Sequence, residues 1–525
     1  MGVSGCSNAA LAVEQSGLRL HSGAYRGDII AIAVRMELGV LLVRAKLITV
    51  DQMNDALKGQ AGQGGRFGDH LVALGHITQQ ALDSFLHKTP VEPEDIEATG
   101  IDENELISLL MKLIYTWRLE STREFSDAIK LPSHIVVKLV RMATERKLLY
   151  ARGVRPDNAS MMNYAMTEEG QRWATDALHR SQYTGPAPIT LDEFCDRVNL
   201  QKITNERVTF QRVRDNISDL AMEDSLIEQS GPALNSGRAI LLYGPPGNGK
   251  TTFALRLAKV FTDMIYIPYA VFVEGQIIRV FDPSIHIPIT RDPRSADGGS
   301  SILRGEAIDA RWVACKRPFV VAGGELTLEM LDLRYDPVSK FYEAPLHMKA
   351  LGGCFVIDDF GRQLVSPATL LNRWIVPLES RVDYLKLHTG KSFSIPFDEL
   401  VIFSTNLEPE DLMDPAFLRR LPYKIEIGSP SLEIYKRIFT KECVAQEIPL
   451  TDEMFNAIVY KIQVEKQLEL AAFQPRFLIE QVVASCRFMQ QTVHLDPRFL
   501  NYAIDNLRVK GNLPRREHVE ALAAD

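Results

Sequence analysis

A glycine-rich turn between an apolar run and a helical segment constrains this 525-residue chain more than any other feature. Residues 239–243 predict a buried strand and residues 252–259 predict a helix. The sequence GPPGNGKT at 244–251 fits the phosphate-loop pattern between them, whose backbone N–H groups and helix N-terminus bind phosphate oxygens. We therefore expect a polyphosphate nucleotide here. The expected contact residues are Gly244, Pro245, Pro246, Gly247, Asn248, Gly249, Lys250, Thr251 and Thr252.

Two carboxylates end a second predicted buried strand. Asp358 and Asp359 directly follow the apolar residues 354–357. Downstream of a phosphate loop, this pattern places Asp358 to hold Mg²⁺ together with the Thr251 hydroxyl. It places Asp359 to orient or deprotonate an attacking water. The pair of motifs predicts magnesium-dependent nucleotide hydrolysis.

A third predicted strand, residues 400–406, starts with four apolar residues and ends in polar residues that include Asn406, and the sequence DPAFLRR follows at 414–420. With these motifs, residues 190–510 resemble the AAA+ ATPases. The resemblance implies an α/β core with a parallel sheet, ATP as the nucleotide, and a homo-oligomeric ring such as a hexamer. It also implies that the ring uses ATP to remodel a protein partner, which the sequence does not identify.

The same resemblance assigns roles to four further side chains. It makes Asn406 the first sensor, which contacts the γ-phosphate and the water. Arg419 and Arg420 occupy the arginine-finger region, which acts on the nucleotide of the neighbouring subunit. Arg476, within QPRFL at 474–478, takes the second sensor position on a helical lid.

The chain departs from the family pattern in two ways. Asp359 stands where the family usually has Glu, which withdraws the carboxylate by about one C–C bond; slow hydrolysis or a nucleotide-gated switch is the alternative to rapid turnover. Lys250 and Asp358 are 108 residues apart, which predicts a β-rich insertion with a hairpin at 270–281 and a polar loop at 292–301. Phe341 and Tyr342, near its end, are candidates either for a central pore or for buried packing.

The N-terminal part contains an internal repeat. Leu38-Gly39 and Ile48-Thr49 return as Phe67-Gly68 and Ile77-Thr78, an offset of 29. This module, residues 36–90, resembles the N-terminal domain of type II secretion and type IV pilus ATPases, some of which bind cyclic di-GMP. Arg66 keeps the arginine that commonly precedes the motif, whereas Glu37 replaces it in the first unit. A helical docking module is the alternative to a cyclic di-GMP site at 36–87.

Residues 101–182 predict three helices, two short strands and a closing helix, the element order of a winged helix-turn-helix. Cations on the third helix and the wing offer a DNA face, and the alternative is a protein-docking module. An ATP-switched DNA-binding regulator is thus a second function to weigh, and a cyclic di-GMP-responsive accessory ATPase is a third. Residues 88–100 predict a linker and 183–189 a hinge. The cations are Lys138, Arg141, Arg146, Lys147, Arg152 and Arg155.

The composition of the chain bears on its partners and on its cellular compartment. A net charge of −8 argues against a protein that coats nucleic acid generally. The six cysteines are isolated, which predicts neither a zinc site nor a disulfide framework and favours a reducing cytoplasm. No apolar run has the length of a membrane span. The expected domains are a disordered leader at 1–35, the repeat module at 36–90, a winged-helix-like domain at 101–182, an AAA+ core at 190–430, and a helical lid with a tail at 431–525.

Overall fold

The structure is a computed structural model, and it divides into two compact units. One comprises Met1–Thr78 with Pro288–Ile308, and the other comprises Gln79–Ile287 with Asp309–Asp525. Predictions on the leader at 1–35, on Glu37 and Arg66, and on the polar loop at 292–301 lie outside the described residues. The described residues are 39, 42–43, 47–63, 67–79, 81–82, 85, 89–155, 158–289, 308–412 and 415–507.

The described part of the first unit shows the repeat in its backbone. Leu47 donates its N–H to the carbonyl of Leu42 at 3.0 Å, and His76 donates to Leu71 at 2.9 Å, the same offset as in the sequence. Leu42 and Leu71 are both fully buried. Equivalent turns therefore follow equivalent buried leucines. The helices whose full bounds are described in this unit are α1 (Val50–Gln63) and α2 (Phe67–Ala73).

Three helices and a two-stranded antiparallel sheet open the second unit. A capping box at Ser121 and Glu124 fixes the start of the second helix, because each side chain bonds the other residue's backbone N–H. The element order is the one expected, and the winged-helix assignment stays an interpretation of it. The elements are α3 (Glu103–Trp117), α4 (Thr122–Ile129), α5 (Ser133–Glu145), β1 (Leu149–Arg155), β2 (Asn158–Met166) and α6 (Glu168–Arg180).

The segment 183–189, predicted to be a hinge, is fixed in place, so that prediction is wrong. Tyr183 is 6% exposed and its hydroxyl donates to the carbonyl of Pro186 at 2.8 Å. Ala187 donates its N–H to Ile129 at 2.7 Å. The segment then enters a sheet as β3 (Ile189–Thr190), which pairs in parallel with residues 271–272. Glycine and proline end regular structure here without making the chain flexible.

The nucleotide core contains the phosphate loop and the strands that precede Asp358 and Asn406, and an inserted β-region interrupts it. The elements up to the insertion are α7 (Leu191–Leu200), α8 (Phe210–Asn216), α9 (Asp224–Ser236), β4 (Ile240–Tyr243) and α10 (Lys250–Ala258). The elements between α10 and β12 are β5 (Met264–Pro268), β6 (Ala270–Val273), β7 (Gln276–Arg279), β8 (Trp312–Lys316), β9 (Phe319–Ala322), β10 (Arg334–Asp336), β11 (Phe341–Glu343) and α11 (Leu346–Lys349). The rest are β12 (Cys354–Ile357), α12 (Pro367–Ser380), β13 (Val382–Lys386), β14 (Ser392–Pro396), β15 (Leu400–Ser404), α13 (Pro409–Leu412), α14 (Pro415–Leu418) and β16 (Tyr423–Glu426).

A parallel five-stranded sheet forms the centre of the core, in the order β16, β4, β15, β12, β9. Alternate residues of a strand point to opposite faces, so Leu241 and Leu242 join two different apolar clusters. Phe253 of α10 packs in one cluster and Trp374 of α12 in the other. Helices therefore cover both faces, which explains why the strands are continuously apolar. The α/β phosphate-loop core predicted from the sequence is confirmed.

The region between α10 and β12 supplies four strands of a second sheet, which β3 completes in the order β10-β11-β7-β6-β3, and it also holds the antiparallel pair β5–β8. The predicted hairpin is present as β6–β7, turned through Glu274 and Gly275 at φ +49° and +77°. Tyr342 is 1% exposed, and Phe341 meets Tyr183 edge-on with ring centroids 5.8 Å apart. Buried packing, not a central pore, is the alternative that the structure favours for these two aromatics.

A helical region completes the described chain. It has its own apolar core, in which the rings of Tyr435, Phe439 and Phe455 meet with centroids 6.1 to 6.2 Å apart. Helices alternate over the range expected for a lid. They are α15 (Leu432–Ala445), α16 (Asp452–Tyr460), a π-helical turn (Lys461–Glu465), α17 (Gln474–Phe488) and α18 (Pro497–Asn506).

Candidate functional site

The carboxyl ends of β4, β12 and β15 lie side by side at one edge of the parallel sheet. Thr405, just beyond β15, donates its N–H to Leu242 of β4 at 2.9 Å. Loops that leave adjacent parallel strands at this edge bring distant residues together, and ligands of open α/β sheets bind there. Lys250, Asp358 and Asn406 therefore converge although they are far apart in sequence.

The phosphate loop adopts a backbone that only glycine takes easily. Gly244, Gly247 and Gly249 have φ values of +129°, +82° and +88°. Lys250 begins α10, is 5% exposed, and its Nζ donates to the carbonyls of Gly244 and Pro245 at 2.9 and 2.7 Å. The lysine thus ties the two ends of its own loop together. Pro245, Pro246 and Thr252 are exposed beside it.

Thr251 and Asp358 meet as the sequence predicts. The Thr251 hydroxyl lies 2.8 Å from Oδ1 and 2.9 Å from Oδ2 of Asp358, and so donates to this carboxylate. The N–H of Asp358 is held by the carbonyl of Ala322 on β9 at 2.9 Å. A hydroxyl and a carboxylate are hard oxygen ligands of the kind Mg²⁺ takes. No group of three or more His, Cys, Asp or Glu side chains within the described ranges forms another metal site.

Asp359 has a left-handed backbone, with φ +48°. A non-glycine residue in this region is uncommon, although Asp tolerates it better than most. The following turn is held because Phe360 donates its N–H to Ser404 at 2.7 Å and accepts from the Thr405 hydroxyl at 2.7 Å. The side chain of Asp359 accepts from Asn406 Nδ2 at 3.3 Å. The unusual φ thus directs this carboxylate to the residue predicted as the first sensor.

Gln363 supports the same turn, and the sequence reasoning missed it. Its Nε2 donates to the carbonyls of Asp358 and Asp359 at 3.1 and 3.3 Å. Nothing in the sequence marks a glutamine four residues after Asp359, because its partners are backbone atoms.

The charges around Lys250 oppose one another. Burial lowers the pKa of the Lys250 ammonium, while the carboxylates of Asp359 and Asp358 act to raise it. Burial disfavours the charged form of the lysine, and an anionic phosphate beside the ammonium would offset that cost. The geometry and the electrostatics of the loop fit a nucleotide polyphosphate.

The lid touches the phosphate loop directly. Phe473 donates its N–H to the carbonyl of Gly247 at 2.9 Å, and Ala472 donates to Asn248 Oδ1 at 3.1 Å. A Cβ placed on Gly247 would lie 2.4 Å from Cδ1 of the Phe473 ring. The side chain of Asn248 is thereby turned towards the lid. The ring of Phe473 covers the loop at a position that sequence reasoning did not mark.

Arg476, the predicted second sensor, makes its described contact with Glu480 of its own helix. It lies in the first turn of α17, is largely exposed, and its Nε pairs with Glu480 at 2.7 Å, one helical turn along. Its role as a second sensor stays a prediction. The nearest lid contacts to the loop come instead from residues 472 and 473.

The two predicted finger arginines differ in their surroundings. Arg420 pairs through Nε with Glu379 of α12 at 2.7 Å. Arg419 is exposed. Both follow α14 at the surface of the core, and their action on a neighbouring subunit stays a prediction.

Three of the six cations on the expected DNA face are paired with acids. Arg141 pairs with Glu145 at 2.9 Å, and Arg146 pairs with Glu103 at 2.7 Å. Arg152 lies 4.0 Å from a carboxylate oxygen of another acid, Glu120. Guanidinium groups already paired with carboxylates offer little charge to phosphates. DNA contact at this face and cyclic di-GMP binding at 36–87 stay predictions.

Comparisons with known proteins add little to this geometry. Residues 431–506, which hold α15 to α18, match a family model described as a domain of unknown function, DUF8689. No curated protein matches the sequence. No helix in the described ranges is long and apolar enough to cross a membrane.

Three solved structures show weak similarity to the chain. A RuvB mutant from Thermotoga maritima is 13% identical with a TM-score of 0.30, covering 58% of this chain and 73% of that one. The AAA domain of FIGL-1 is 14% identical with a TM-score of 0.31, covering 55% and 83%. A second RuvB mutant is 12% identical with a TM-score of 0.33, covering 56% and 72%. TM-scores this low carry no argument about function, which therefore has to be inferred from the site itself.

Proposed function

We propose that this chain is an AAA+ ATPase that binds ATP with Mg²⁺ at its phosphate loop and hydrolyses the ATP. The observation that carries the proposal is the contact between Thr251, at the start of α10, and Asp358, just beyond β12, two residues 107 positions apart in sequence. A hydroxyl and a carboxylate in hydrogen-bond contact beside a buried lysine fit the requirements of a magnesium-nucleotide site.

Each residue of the site has a role that follows from its position. Lys250 and the loop N–H groups bind the phosphates, and Thr251 with Asp358 holds the metal. Bound Mg²⁺ supplies charge neutralisation at the phosphate oxygens. Asp359 accepts the proton of the attacking water, and Asn406, which donates to the same carboxylate, keeps it oriented. Gln363 fixes the backbone that carries both aspartates.

The active form in this proposal is a homo-oligomeric ring that remodels a protein partner. Arg419 is the better candidate for action on a neighbour's nucleotide, because it is exposed while Arg420 is paired with Glu379. A guanidinium that reaches the transferring phosphoryl group stabilises the charge that develops there. The ring and the partner are inferred from the resemblance of the motifs and from this exposed arginine.

The test is magnesium-dependent ATP hydrolysis by the purified full-length chain. Lys250→Ala is expected to abolish both ATP binding and hydrolysis, whereas Lys259→Ala, an exposed lysine just beyond the same helix, serves as the matched control and keeps both. A wild-type chain that hydrolyses no ATP, and binds it no better than Lys250→Ala does, contradicts the proposal. Mass photometry with and without ATP then reports whether a ring assembles.

The partner is sought with a variant that holds ATP. Asp359→Ala removes the carboxylate that activates water and leaves the phosphate-binding residues in place, so it is expected to retain ATP and any partner whose release needs hydrolysis. Proteins recovered with Asp359→Ala and ATP, but not with Lys250→Ala, are the candidates.

A further inference from the structure

A second cavity lies away from the phosphate loop, where the N-terminal helices meet the inserted sheet. Its volume is about 540 Å³, within the range of small-molecule sites. Its walls come from α3, from α6 and the segment after it, and from the β6–β7 hairpin. No residue of the proposed ATPase machinery lines it.

Lys112 of α3 is the unusual residue of this wall. It is 4% exposed, whereas lysines are almost never buried unless paired. Its ammonium has three N–H donors, and the one protein acceptor within hydrogen-bond distance in the described ranges is the carbonyl of Ser181 at 3.0 Å. Lys112 therefore lines the cavity with N–H donors that no protein acceptor takes in the described ranges.

The charge around Lys112 is predominantly positive. Arg180 and Lys340 also line the cavity, and Glu105 is the one acid among its lining residues. Lys340 is held over the cavity because its Nζ donates to the carbonyl of His179 at 2.6 Å. Burial lowers the pKa of the Lys112 ammonium to about 8, with Glu105 acting to raise it and Arg180 to lower it. A bound anion would offset both the cost of burying the Lys112 charge and the repulsion between the cations.

The remaining wall is apolar. Leu109 and Phe272 line it together with Ile277 of the hairpin, and Tyr335 adds an aromatic ring. An apolar wall facing a group of cations suits a ligand with a hydrocarbon or aromatic body and an acidic head.

We propose that this cavity is a binding site for a small organic anion with an apolar body, whose acidic group pairs with Lys112 and Arg180. The site is independent of the nucleotide, so its failure leaves the proposed ATPase untouched. The competing explanation is that Lys112 serves only to fasten the chain after α6 through Ser181.

A matched pair of probes separates the two explanations. Anilinonaphthalene sulfonate carries an aromatic body and a permanent negative charge, and N-phenyl-1-naphthylamine has the same hydrocarbon frame without the charge. The native full-length chain, in excess ADP and Mg²⁺ to occupy the phosphate loop, is titrated with each probe by fluorescence. The expected result is one saturable sulfonate site per chain that binds at least tenfold more tightly than the neutral probe.

Substitutions assign that site to the cavity. Lys112→Met keeps an unbranched side chain that is one heavy atom shorter and uncharged, and it is expected to weaken sulfonate binding about tenfold while the neutral probe is unaffected. Lys138→Met, at an exposed lysine of α5, is the control and changes neither. Lys340→Met is a second variant with the same expected direction, so the test survives poor folding of Lys112→Met, which thermal unfolding would reveal.

The pH dependence gives an independent check. The sulfonate does not titrate, so its affinity is expected to fall as pH rises from 7 through 9 and Lys112 loses its proton, with no such fall in Lys112→Met. Equal binding of both probes, absence of a saturable sulfonate site, or sulfonate binding unchanged by Lys112→Met and Lys340→Met would each overturn the proposal.

Discussion

Adding one methyl group to Gly247 tests whether the lid rests on the phosphate loop. Gly247→Ala places a Cβ 2.4 Å from the Phe473 ring, in a backbone with φ +82°. Gly249→Ala is a natural control, because its φ is +88° while the nearest atom to its Cβ, Cε of Met222, is 3.4 Å away. The two substitutions share the backbone strain and differ in the contact with the lid.

The structure gives a magnitude for that difference. A left-handed conformation costs an L-residue about 1–2 kcal/mol, which both variants carry. In Gly247→Ala the ring must also retreat by about 0.6 Å to reach the 3.0 Å that real Cβ contacts keep, which strains the hydrogen bond from Phe473 N–H to Gly247. Loss of one such bond costs about 1 kcal/mol, or roughly a fivefold change in an equilibrium. Phe473→Ala removes the clash, so it is expected to recover the cost of the lost hydrogen bond but not the cost of the left-handed backbone.

Amide hydrogen exchange across residues 470–477 measures this effect, because exchange reports local opening. Gly247→Ala is expected to speed exchange there about fivefold more than Gly249→Ala does. Combining each with Phe473→Ala should remove the difference, giving a coupling energy for Gly247 and none for Gly249. Equal exchange in the two single variants would refute the idea that the lid sits on the loop.

Three further predictions concern catalysis, assembly and stability. Asp359→Asn should lower kcat at least ~100-fold, as expected for loss of a general base, while the ATP affinity measured by calorimetry changes less than about twofold. Arg419→Ala should be nearly inactive alone but regain ATPase activity when mixed with Lys250→Ala, whose subunits donate an intact arginine to a neighbour's site. A mixture of these two variants without activity would argue against action between subunits. Arg420→Ala should instead lower the thermal midpoint. Glu399 is fully buried with neither carboxylate oxygen hydrogen-bonded in the described ranges, and burial raises its pKa well above the usual value. The native Glu399 therefore keeps its proton above the unfolded pKa of 4.5, and the stability of the protein falls as pH rises above that value. Glu399→Gln should thus raise the thermal midpoint at pH 8 and leave it unchanged near pH 4.5. A shift of the midpoint that is equal at both pH values would contradict this.

The core was predictable because its signals are local and its geometry is generic. Buried parallel strands read as continuous apolar runs, and their carboxyl ends share an edge, so Lys250, Asp358 and Asn406 had to converge once the strands were adjacent. The contact between Thr251 and Asp358 follows from the same rule.

The contacts that sequence reasoning missed depend on packing between distant segments. The ring of Phe473 reaches Gly247 across 226 positions, and Gln363 binds carbonyl oxygens that any residue would provide. The pairing of Arg141 with Glu145 is local to α5, but the acid that pairs with Arg146 was not visible in the sequence, because Glu103 lies 43 positions away. Such pairs arise only when the helices have packed.

The strand β3 has a mechanical consequence. Ile189 and Thr190 lie in register with Val271 and Phe272, and the apolar core of the N-terminal helices continues into the same sheet. Moving the insertion away from helices α3 to α6 would therefore require breaking these backbone hydrogen bonds and exposing these buried side chains to water.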